Sequence, residues 1–87
     1  MLFFITVKSM EKPFPLYEKE TSFYAKFFID ADSWDNLDKK LLILCPSKWG
    51  KVVDTEQLSR RAEIHCRAGE PNIGKITKNQ IWKSLYN

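Results

Sequence analysis

The chain is 87 residues long, 44% hydrophobic, 14% aromatic and 29% charged, with a formal net charge of +3. A chain of that length holds one domain, which buries only about 60% of the surface its unfolded form exposes. The aromatic content excludes a disordered chain, and two cysteines are too few for a disulfide-stapled miniprotein.

Charge is unevenly distributed. Residues 1–38 carry four Lys against seven acids, a net of −3, whereas residues 39–87 carry ten basic groups against four acids, a net of +6. Such polarity points to a surface that meets an anionic partner, either an acidic protein or a nucleic acid.

Residues 2–8 are β-branched and aromatic, which predicts a strand. The apolar start lacks a basic n-region and Lys8 interrupts it, so no signal peptide is expected. Ser9–Tyr17 contains Pro13 and Pro15 and reads as a loop or extended connection. Residues 22–30 predict a second strand. Phe23, Ala25, Phe27 and Ile29 share one face; Tyr24, Lys26 and Phe28 share the other.

A helix is expected over about 33–40. Asp32 or Ser33 would cap it, Asp35 suits its first turn, and Trp34, Leu37 and Leu41 have helical spacing. Leu41–Cys45 admits two readings, a continuation of that helix or a third, buried strand, because a short apolar run has no diagnostic period. Pro46 ends the element in both cases, and Ser47–Lys51 reads as a turn carrying Trp49.

The next helix is expected over 55–68. Asp54 and Gln57 have capping spacing, Val53 and Leu58 sit at staple positions, and Glu56/Arg60 and Glu63/Arg67 are i,i+4 pairs. Gly69 and Pro71 would close it. The rival reading is a strand over 62–68, where Ala62, Ile64, Cys66 and Ala68 alternate with Glu63, His65 and Arg67. Thr77-Lys-Asn-Gln80 is a capping box with Ile76 and Ile81 at the staple positions, which predicts a helix over 78–86. Ile81, Trp82 and Leu85 share one face of it. The expected fold is a small α+β domain spanning 1–87, with a two- or three-stranded antiparallel sheet packed by two or three helices.

Three motifs bear on chemistry. Gly69-Glu-Pro-Asn-Ile-Gly74-Lys75 fits G-x-x-x-x-G-K and resembles, over those seven residues, the phosphate loop of P-loop GTPases. That resemblance implies nucleotide phosphate binding, but Ile76 stands where the motif needs Ser or Thr for Mg²⁺. The residues before it are also too polar for a buried parallel strand. Cys45, His65 and Cys66 are the soft metal ligands, fewer than the four that tetrahedral structural zinc takes. In the series Asp30, Asp32, Asp35 and Asp38, Trp34 displaces a calcium ligand and Asp35 the loop glycine. No metal, cofactor or catalytic group is therefore expected. A single His and no paired-carboxylate site point away from an enzyme.

The candidate partner-binding residues are the aromatic anchors Trp49 and Tyr86 with the cations Lys48, Lys51, Arg60, Arg67, Lys75, Lys78 and Lys83. Lys75, just before the last helix, is also a candidate anion contact. A helix-turn-helix does not fit, because the stretch from Gly69 to Thr77 exceeds its short turn. These features lead to the expectation of a small non-enzymatic cytoplasmic protein that binds another protein with an acidic surface. An inhibitor or adaptor of the kind encoded by phages and mobile elements would have this size and this lack of chemistry. The alternative is a nucleic-acid-binding regulator using the basic C-terminal half. No membrane role is expected, since the run Leu41–Cys45 is far too short to span a bilayer.

Overall fold

A computed structural model describes residues 1–10 and 24–86. Most of the Pro13/Pro15 connection, and residues 22 and 23 of the expected second strand, lie outside the described residues. The elements in chain order are β1 (Leu2–Ser9), β2 (Tyr24–Asp30), α1 (Trp34–Leu44), β3 (Gly50–Gln57), α2 (Arg60–Gly69) and α3 (Lys78–Tyr86). The strands form one antiparallel sheet in the order β2-β1-β3, so the fold is α+β, with three strands and three helices among the described residues.

β1 is the central strand because it is the most apolar, and only a central strand is screened along both edges. Its odd residues Phe3, Ile5 and Val7 are fully buried and meet Ala25, Phe27 and Ile29 of β2 on the same face. α1 covers this face with Leu37 and α3 covers it with Ile81 and Leu85. Phe27 pairs opposite Ile5 and Ile29 opposite Phe3, so the period-2 alternation read from residues 22–30 holds over the described 24–30 and fixes which face is buried. On the reverse face Phe4 packs on Phe28, ring centroids 4.9 Å apart. α2 has no buried residue; its Arg67 reaches Asp30 at 3.0 Å, on that reverse face by alternation.

Local chemistry sets the helix starts. The Ser33 Oγ accepts the Asn36 N–H at 3.1 Å and so caps α1, settling the choice between Asp32 and Ser33. Residues 41–44 continue α1, which ends at Cys45, whose N–H bonds the Leu41 carbonyl at 2.9 Å. At α3 the capping box closes in both directions. The Thr77 N–H donates to Gln80 Oε1 at 2.8 Å, and the Gln80 N–H donates to Thr77 Oγ1 at 3.2 Å. Replacing Thr77 with Ala is expected to cost about 1 kcal/mol by leaving the Gln80 amide unsatisfied. A urea midpoint unchanged from wild type would show that the cap contributes nothing.

Residues 50–57 depart from the sequence expectation. The expected helix over 55–68 begins only at Arg60, capped by Ser59, whose Oγ accepts the Ala62 N–H at 3.2 Å. Asp54 is no cap, and Glu56 and Arg60 share no helix face, because residues 50–57 form β3. The physical reason is long-range. β1 presents a second edge of unpaired amides and carbonyls, and satisfying them outweighs an isolated cap. Val52, Val53 and Thr55 are the β-branched residues that carried this signal locally. The pairing shifts between Thr6 and Val7, leaving Val53 as a bulge between Val52 and Asp54. Residues 62–68 are helical, and Glu63 and Arg67 form the i,i+4 pair at 3.5 Å.

Candidate functional site: an aromatic ridge and a basic groove flanking the last helix

Trp49 leaves the turn after α1, where its N–H donates to the Pro46 carbonyl at 2.8 Å. The next residue must be glycine: a Cβ at Gly50 would stand 2.6 Å from Val7 Cγ1 and 3.0 Å from the Lys8 carbonyl oxygen. This close approach seats the Trp49 backbone against β1 and the chain beyond it. The Trp49 carbonyl accepts the Met10 N–H at 3.0 Å and the Tyr86 hydroxyl.

α3 supplies the rest of the ridge. Lys78, Trp82 and Tyr86 follow one another at i,i+4 and so stack along one stripe. The Trp82 ring lies 4.9 Å from Trp49 and 4.4 Å from Tyr86, and the Lys78 ammonium stands 5.1 Å from the Trp49 ring centroid. Each aromatic contact contributes about 0.5–1.5 kcal/mol beyond area burial, and the cation over the ring adds a similar amount. Trp49 and Tyr86 are half-buried against the core, yet Trp82, between them, remains 42% exposed.

Burial raises the Tyr86 phenol above its ordinary value, and burial also raises the Cys45 thiol. Both groups are neutral in their protonated forms, and folding favours those forms. Their contribution is complete below the ordinary values of 9.0 for Cys45 and 10.0 for Tyr86 and is lost as pH rises through the higher folded values. Unfolding midpoints followed from pH 8 upward should therefore fall beyond about pH 9, and Cys45→Ala with Tyr86→Phe should flatten that fall. An equally steep fall in the double variant would place its origin elsewhere.

On the other flank of α3 lies an open groove of about 500 Å3. Its walls include Lys26 of β2, Gln80, Lys83 and Ser84 of α3, and Glu70 to Ile76 of the connection between α2 and α3, Pro71 excepted. Gly74 forms a corner of it at φ +90°, and its carbonyl accepts the Asp30 N–H at 3.1 Å.

The nine residues singled out in the sequence are thus distributed over several places. Trp49, Lys78 and Tyr86 come together in the ridge, with exposed Lys48 next to Trp49 in the same turn. Lys75 and Lys83 line the groove. Lys51 stands opposite Lys8 on the reverse face of the sheet. Arg60 is exposed at the start of α2, whereas Arg67 is engaged by Asp30 and Glu63. Trp82 was absent from that set because its spacing with Ile81 and Leu85 reads as core; its i,i+4 relation to Lys78 and Tyr86 was the signal for the ridge. Lys26 was absent too, since nothing local ties it to Lys75 and Lys83.

Among the described residues, no three His, Cys, Asp or Glu side chains gather as a metal site, and no helix is long and apolar enough to cross a membrane. The phosphate-loop spacing of Gly69–Lys75 is divided between the end of α2, a turn and the groove corner. No strand leads into it, as a nucleotide-binding loop requires. No protein-family model, curated protein or solved structure matches this chain.

Proposed function

We propose that this protein is a small non-catalytic binding module, an inhibitor or adaptor, that docks an acidic protein surface through the Trp49–Trp82–Tyr86 ridge. The observation that carries this reading is the exposure of Trp82 between two rings that hold it. A large aromatic left in water costs apolar exposure, and one already fixed by neighbours gives up little rotamer freedom on binding. Trp and Tyr dominate binding hot spots for this reason. Lys78 and Lys48 set the sign of the partner and speed its approach. Two free thiols, Cys45 and Cys66, suit a reducing, cytoplasmic setting.

The test is affinity capture from host lysate at two salt concentrations, with and without nuclease, using wild type beside Trp82→Ala. One stoichiometric protein is expected to survive nuclease and high salt with wild type. Truncating a hot-spot Trp costs about 2 kcal/mol or more, roughly a 30-fold loss of affinity. Recovery of nucleic acid in place of that protein, or capture untouched by Trp82→Ala, would refute the reading. The first outcome would favour the nucleic-acid regulator, whose affinity falls steeply with salt.

A further inference from the structure

We infer that the outer edge of β2 is a second docking site, which takes an extended acidic polypeptide segment as a fourth strand of the sheet. The backbone geometry comes first. The Asp30 N–H bonds the Gly74 carbonyl, so it points away from β1. In an antiparallel ladder the direction alternates residue by residue. With Leu2 opposite Asp30, Phe4 opposite Phe28 and Thr6 opposite Lys26, the amides and carbonyls of Phe28, Lys26 and Tyr24 also point outward. The Leu58 N–H bond to the Leu2 carbonyl, on the β3 side, confirms this phase independently. Among the described residues this edge is bonded only at its Asp30 end, where the Gly74 carbonyl accepts the Asp30 N–H and the Lys40 ammonium donates to the Asp30 carbonyl, and Lys26 and Phe28 face the open groove.

The charge then selects the occupant. Lys26, Lys75 and Lys83 line the groove against one acid, Glu70. Lys26 lies on the reverse face of the sheet and Lys83 comes from the helical layer on the core face, so the cations bracket the edge from both sides. A strand added there alternates its side chains to both faces, and acids at either parity would meet a lysine. A lysine on an edge ordinarily discourages indiscriminate pairing; here it repels basic strands and admits acidic ones. The alternating donors and acceptors of the edge match a polypeptide backbone, whereas a nucleic acid has no such repeat. This site lies across α3 from the aromatic ridge and does not depend on it.

The experiment uses the full chain, labelled with ¹⁵N, and a capped synthetic peptide alternating Glu with Val. The same pattern with Lys for Glu, and an oligothymidylate, serve as comparisons. Amide exchange at Tyr24, Lys26 and Phe28 is expected to slow about tenfold or more on saturation, while Ala25 and Phe27, already bonded to β1, change little. The Lys75→Glu/Lys83→Glu variant, altered only at exposed side chains, should bind the Glu peptide at least about tenfold more weakly and the Lys peptide more tightly. Trp82→Ala should bind the Glu peptide as wild type does. The proposal is overturned if the Glu peptide does not bind. It also fails if binding leaves those three amides unprotected or is indifferent to the charge reversal. Oligothymidylate protecting the same amides in place of the peptide would make this a nucleic-acid groove.

Discussion

Phe3→Ala is expected to lower the unfolding free energy by about 3–5 kcal/mol, the usual cost of truncating a buried Phe. An 87-residue domain has on the order of 4–13 kcal/mol in total, so the variant would sit close to the folding threshold. Phe3 is fully buried, lies on the central strand, and takes the edge of Trp34 at 4.9 Å. Ile29 opposite it is held in place by the β1–β2 ladder, which limits collapse of the backbone into the space. Thermal melting by circular dichroism should move down by tens of degrees, because each kcal/mol shifts a domain of this size by about 4–8 °C. A loss below about 1 kcal/mol would mean that the core is not organised around β1.

The second large effect is expected at Gly74, where Ala should cost about 2–5 kcal/mol. Holding a residue with a Cβ at positive φ accounts for about 1–3 kcal/mol of that. The rest is steric. The Cβ would stand 2.8 Å from the Asp30 backbone nitrogen and 2.9 Å from both Asp30 Cβ and Leu2 Cδ1. Backbone cannot swing aside as a flexible side chain would, so the Gly74–Asp30 hydrogen bond must lengthen or break. Urea denaturation measures the loss, and hydrogen exchange at the Asp30 amide localises it. An Ala variant as stable as wild type, with Asp30 still protected, would contradict the corner geometry. Because this corner forms one end of the groove along β2, the substitution should also weaken any strand added there, whereas Thr77→Ala should not.

The difference between what could be read locally and what could not has a physical pattern. The α3 helix was legible in full, because its start depends on two side chains three residues apart, Thr77 and Gln80, which satisfy each other's amides without help from elsewhere. The buried face of β2 was legible from period-2 alternation, which depends only on one side being dry. The Ser59 cap and the β3 strand were not. Asp54-x-x-Gln57 satisfies the same local rule as Thr77-x-x-Gln80, and the edge of β1, some fifty residues earlier, overrules it.

The candidate site divides in the same way. Residue types alone pointed to Trp49, Tyr86 and a basic C-terminal half, because aromatic anchors with cations beside them are the residue types that dominate contact surfaces. Which of the cations stand together was decided by tertiary structure. The fold places Lys78 over Trp49, sends Lys51 to the opposite face, and gives Arg67 to Asp30. It also brings Lys26 beside Lys75 and Lys83, 49 and 57 residues away in sequence. The α3 cap and the buried face of β2 were therefore determined by neighbours along the chain. The third strand, the aromatic ridge and the basic groove exist only because distant segments compete for the same backbone hydrogen bonds and the same buried area, a competition that no local pattern encodes.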